Sequence, residues 1–124
     1  MNKGFTIPAT IYPVPIHIYY GEESKAHKFF KKTLDKRDKD SIKKFFTGSY
    51  NARTCRTTYS GIALHFKGLR SGLIAHEMFH CVEFVMNKIG TIHCDETSES
   101  FAYYLDYLVE QVHKELYDYD SRRY

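Results

Sequence analysis

Tryptophan is absent, proline occurs three times and glycine seven times in 124 residues, while 43% of the chain is hydrophobic and 16% aromatic. So few chain breakers beside so many Tyr and Phe exclude a collagen-like, low-complexity or disordered chain and argue for a packed core. Cysteine is scarce as well. Cys55, Cys81 and Cys94 are odd in number and form no C-x-x-C pair, which excludes a disulfide framework and a Cys-based zinc finger and leaves reduced thiols. No apolar run approaches the roughly 20 residues needed to cross a bilayer, so no membrane partner is expected. Met1 to Phe5 also lacks a signal-peptide apolar region, and the expected location is the cytoplasm. The length fits one domain over 1–124 and is too short for two.

Charge is present in both signs but unevenly placed. The formal net charge is +3, yet Lys25 to Lys44 holds nine Lys/Arg against Asp35, Asp38 and Asp40, and Thr91 to Tyr124 holds eight acids against Lys114, Arg122 and Arg123. A basic stretch can mark a nucleic-acid face. Here its lysines are interleaved with Phe29, Phe30, Leu34, Ile42, Phe45 and Phe46, the spacing of a helix with a buried face and a solvated one. A solvated helix surface is therefore the favoured reading, with a nucleic-acid-binding module as a rival.

No internal repeat divides the chain. Ile16 to Tyr19 alternates after Pro13 and Pro15 and reads as a strand, and Glu22 to Leu34 has helical apolar spacing. Arg53 to Tyr59, then Ser60-Gly61, then Ile62 to Phe66 reads as a β-hairpin. From Ser71, a suitable N-cap, the pattern becomes a long helix to about Ile89 with Gly90 placed to end it, and its stripe is Met78, Val82, Val85 and Ile89. The capping cluster Asp95 to Ser98 opens a second helix to about Tyr117, with Phe101, Leu105, Leu108, Val109, Val112 and Leu116 as its stripe. Tyr117 to Asp120 with Arg122 and Arg123 reads as a polar terminus. The expected class is α+β, a small, mostly antiparallel sheet covered by helices.

His76-Glu77-Met78-Phe79-His80 fits H-E-x-x-H in the middle of the first long helix. Positions i and i+4 lie one turn apart on one face, so both imidazoles can reach one metal, and Glu77 between them can act as general base. Zinc is the expected ion, and it needs a third protein ligand while leaving a fourth position for water. A metzincin would have Gly and His at positions 83 and 86, where this chain has Glu83 and Met86. An acid remains. Glu99 opens the last helix, which a loop at Gly90 and Thr91 can fold back towards the histidines; Asp95, Glu96 and His93 are the alternatives. Tyr103, on the same helix face as Glu99, is the candidate donor to a developing oxyanion, with His65 on a predicted edge strand as the other.

From Ile62 to Tyr107 the chain resembles the gluzincin zinc metallopeptidases, in which the H-E-x-x-H helix is followed by one donating a Glu ligand. Leu73 to Val82, followed by Ser98 to Tyr103, is similar more narrowly to small metallopeptidase-like proteins of tailed phages. The resemblance implies a minimal zincin-like fold, zinc held by His76, His80 and Glu99, Glu77 as base, and host cytoplasm or virion as location. It also implies that the strand before the helix, Gly61 to Phe66, borders the cleft and pairs with a peptide or protein substrate. The chain departs from larger gluzincins in having Tyr103, not an acid, four residues after Glu99, with the next acid at Asp106. A zinc-dependent peptidase is thus the expected function. A catalytically silent zincin-fold assembly protein is the alternative, since 124 residues leave little chain for a second lobe.

Overall fold

Four strands form one sheet in a computed structural model that describes residues 2–117: β1 (Lys3–Ile7), β2 (Ile16–Tyr20), β3 (Ala52–Arg56) and β4 (Ile62–Phe66). Their order is β1-β2-β4-β3. The two hairpins are antiparallel and meet through a parallel β2–β4 pair in the middle. Parallel neighbours require a crossover. Here α1 (Glu23–Thr33), a 3-10 turn at Lys36–Asp38 and α2 (Lys39–Phe45) provide it before the second hairpin begins.

Helices cover both faces. Ile16, Ile18, Ile62, Leu64 and Phe66 belong to the larger core cluster with α3 (Ser71–Lys88) and α4 (Ser98–Leu116). Tyr19 and Ala63 join Ala26, Phe30, Leu34, Ile42 and Phe45 on the other side. Covered on both faces, β4 is buried at all five residues, as interior strands of such sandwiches are. The expected α+β class, with a small sheet under helices, agrees with this architecture.

Several expectations are corrected. The strand Gly61 to Phe66 was expected to border the cleft, but β4 lies between β2 and β3 and has no open edge. His65 was expected to face outward and is instead fully buried. The strand expected over Arg53 to Tyr59 is Ala52–Arg56, because Thr57 to Gly61 forms a turn around Asp38. The carboxylate of Asp38 is 1% exposed and accepts from Thr58 N (3.1 Å), Tyr59 N (3.3 Å) and Ser60 Oγ (2.5 Å). Gly61 closes the turn at φ 91°, where an added Cβ would stand 2.3 Å from the Pro15 carbonyl oxygen, so only glycine fits. Strand β1 had no counterpart in the sequence reading, and the stretch with helical spacing through Phe46 is divided into α1 and α2 by the turn at Lys36–Asp38.

The long helices lie where the periodicity placed them, with shifted faces. Ser71 is the first helical residue of α3 and Arg70 occupies the cap. Gly90, at φ 79°, ends the helix in the left-handed region, and Thr91 N–H donates to Met86 O at 2.9 Å. Ile74 and Cys81 join Met78, Val82, Val85 and Met86 inside, whereas Ile89 is 38% exposed. On α4, Tyr104, Leu108, Val112 and Leu116 are buried, but Phe101, Leu105 and Val109 are only half-buried. The first half of α4 leaves an apolar groove of about 440 Å³ against α3, lined by Phe79, Val82, Met86, Ile92, Phe101 and Leu105 among others. All nine Lys/Arg between Lys25 and Lys44 are exposed, and among the described residues only Arg37 forms an ion pair, with Asp35 at 3.0 Å. No helix among the described residues is long and apolar enough to cross a membrane. The polar terminus expected at Tyr117 to Arg123 lies outside them beyond Tyr117.

Candidate metal centre beside the open sheet edge

The helical register of α3 sets the centre. Ile74, Met78, Cys81 and Val82 point into the core, and His76 and His80, one turn apart, emerge on its flank. Their rings cross at 82° with centroids 4.7 Å apart, and the two Nε2 atoms are 3.1 Å from each other. Two nitrogens bound tetrahedrally at 2.0–2.1 Å would stand about 3.3 Å apart. Without an ion, one neutral imidazole donates to the other across the same gap. The pair therefore fits a shared zinc ion with little adjustment.

Two acids touch this pair or its helix turn. Glu83 Oε1 lies 3.5 Å from His80 Nδ1, the nitrogen left free when Nε2 binds a metal and the one an orienting carboxylate uses. Glu77 is only 6% exposed, and one of its oxygens accepts from the Thr54 hydroxyl on β3. Burial and the nearby Glu77 charge together push the Cys81 thiol well above its usual range. His80 also stacks on Phe84, with centroids 6.1 Å apart.

Residues His76 and Glu77 line a cleft of about 340 Å³ together with Asn51, Ala52, Arg70 and Leu73 among others. This cleft runs beside β3, the strand at the sheet edge. Lys67 N–H donates to Asn51 O and Thr57 N–H to Gly61 O, so 51, 53, 55 and 57 turn their backbone groups towards β4. By the alternation of an antiparallel ladder, Ala52, Thr54 and Arg56 turn theirs to the open edge. An extended chain can add to that edge. The cleft-bordering strand is thus β3, not the one preceding the helix.

The other expected site residues lie elsewhere. Glu99 is exposed in the first turn of α4, as are Asp95, Glu96 and His93 before it. No group of three or more His, Cys, Asp or Glu able to hold a metal ion occurs among the described residues, so Glu99 is not drawn up to the histidine pair. Tyr103 is 70% exposed on α4. His65 donates from Nε2 to Gly21 O (2.8 Å) and accepts from the Tyr50 hydroxyl at Nδ1 (2.9 Å), so packing occupies it fully. Sequence reasoning missed Thr54 and Glu83. The i+3 spacing of Glu83 from His80 was a usable signal; Thr54 approaches Glu77 only through the fold. Comparison of the chain with protein-family models, curated proteins and solved structures gives no match.

Proposed function

We propose that this chain is a zinc-dependent metallopeptidase with a zincin-like domain, acting on an extended peptide or protein segment. The observation that carries the reading is the His76–His80 pair with facing Nε2 atoms, next to Glu77 and a cleft beside an open strand edge. His76 and His80 would hold the ion, with Glu99 as the acid proposed to complete the set. Zinc bound there supplies Lewis-acid polarisation of a carbonyl and makes water a stronger acid. The remaining chemistry belongs to the chain. Ala52, Thr54 and Arg56 bind the substrate backbone, Glu77 takes a proton from the attacking water and returns it to the leaving amine, and Glu83 steadies His80.

A second reading has its own support. Glu77 is nearly buried and already held by Thr54, and Glu99 stands apart from the histidines. Both features favour a catalytically silent member of the same fold that serves an assembly. One experiment separates them. Protein purified without a His tag is assayed for zinc and then for cleavage of a broad peptide library. Zinc near one equivalent with cleavage supports the peptidase, zinc without cleavage supports the silent fold, and failure to retain zinc after reconstitution removes both.

A further inference from the structure

The edge of β3 does not end at the histidines. Two residues along the strand from Thr54, Arg56 places its guanidinium over the Phe84 ring at 4.6 Å from the centroid, one helical turn beyond His80. Beyond it opens a second cleft of about 370 Å³, lined by Arg56, Thr57, Thr58, Phe84, Asn87 and Lys88 among others. Arg56 and Lys88 are both exposed, and neither forms an ion pair among the described residues. The first cleft, the histidine pair and this cationic cleft follow one another along α3, from His76 through His80 and Phe84 to Lys88.

We infer that this cationic end is a specificity subsite that selects a carboxylate side chain on the extended peptide. The inference rests on the peptidase reading for the identity of the ligand. Side chains of paired strands that lie opposite each other share one face of the sheet. Arg56 turns its backbone groups to the open edge and its side chain towards α3, as Thr54 does. A peptide residue opposite Arg56 therefore directs its side chain at the guanidinium and the Lys88 ammonium. That residue is two positions from the one opposite Thr54, beside Glu77, so the selected acid sits two residues from the reacting centre. The planar guanidinium, placed over the Phe84 ring 4.6 Å from its centroid, can present its donors to a carboxylate in a fork. Ile89 and Tyr59 are exposed beside this end, but the open backbone groups of β3 can pair with an extended chain, which favours an acidic peptide over a lipid surface.

The test uses the whole chain stripped of metal with EDTA and two fluorescein-labelled ten-residue peptides, otherwise neutral, with Glu or Gln at one central position. At 50 mM NaCl the Glu peptide is expected to bind about tenfold more tightly by anisotropy, with the margin shrinking towards threefold at 300 mM as the charges are screened. Arg56→Gln with Lys88→Gln is expected to abolish the margin between the two peptides. Lys88→Gln alone, at the exposed end of α3, is expected to reduce it with an unchanged melting temperature, which guards against misfolding of the double variant. Equal binding of the two peptides, or a margin that survives both substitutions, would overturn the inference. So would a 20-nucleotide single-stranded DNA that binds more tightly than the Glu peptide with the same dependence on Arg56. Zinc loading and cleavage are measured separately. A chain that takes no zinc but keeps the margin refutes the peptidase alone, and one that cleaves Glu and Gln peptides equally refutes the subsite alone.

Discussion

Glu77→Gln separates chemistry from packing at a single side chain. The carboxylate is 6% exposed and its structural partner is the Thr54 hydroxyl. A charge-assisted hydrogen bond of that kind contributes about 1.5–3 kcal/mol, against a cost of several kcal/mol for withdrawing a carboxylate from water. Glutamine has nearly the same volume, still accepts from Thr54, and carries no charge to desolvate. Its amide N–H groups can face the cleft. The net expectation is a gain of about 1 kcal/mol, or a melting temperature raised by roughly 3–5 °C for a chain of this length. An essential base at a slightly unfavourable position gives this signature: stability rises while hydrolysis falls by about 10²–10⁴. Calorimetry in EDTA removes any contribution from zinc, and Thr54→Val in both backgrounds completes a double-mutant cycle. Thr54→Val should cost about 1–3 kcal/mol beside Glu77 and clearly less beside Gln. A fall of more than about 2 °C for Glu77→Gln in EDTA would refute the reasoning, because the carboxylate would then be part of what holds β3 to α3.

Glu99→Ala should weaken zinc binding at least tenfold more than Asp95→Ala or Glu96→Ala, read by calorimetric titration; the reverse order would remove Glu99 as the third ligand. Stability should fall as pH is lowered below about 6.5 and stay level above it. Burial holds His17 and His65 below their usual 6.5 despite the carbonyl bonds to Ser60 and Gly21 that oppose it. The unfolded chain therefore binds more protons than the native one below that pH. His65→Gln should flatten this slope in thermal melts between pH 5 and 8, and an unchanged slope would show that His65 does not carry it.

The two long helices were legible because each combines a sustained 3.6-residue pattern with a clear stop or start, Gly90 for α3 and the Asp95 to Ser98 cluster for α4. The positions of β2, β3 and β4 were legible too, but the strand order was not. Ile62-Ala-Leu-His-Phe66 alternates as an edge strand would, yet nothing local tells that α1 and α2 cover the His65 side. Burial of His65 follows from a crossover that is invisible in a hydropathy pattern. Strand β1 escaped notice because Lys3–Ile7 has one fully buried residue, Ile7, and takes its register from β2. At the candidate site, the H-E-x-x-H spacing gave the histidine pair directly, since one helical turn joins the two residues. Thr54 and Arg56 reach α3 only through the β3–β4 hairpin, and the identity of the edge strand depends on the non-sequential order β1-β2-β4-β3.

That order also governs how the chain comes together during synthesis. Ile16 pairs with Ile62 and Ile18 with Leu64, contacts that close a loop of about 45 residues, and such non-local pairings are the slow part of folding. Each hairpin can form early, but the inner edge of β2 then waits until β4 has left the ribosome. During that interval Ile16-His-Ile-Tyr-Tyr20 offers a β-branched, aromatic edge without lysine or proline inside it, the kind of segment that pairs with copies of itself. Pro13 and Pro15 stand just outside, and the lysines of α1 follow within a few residues. They flank the vulnerable strand with residues that discourage intermolecular pairing until the central partner arrives.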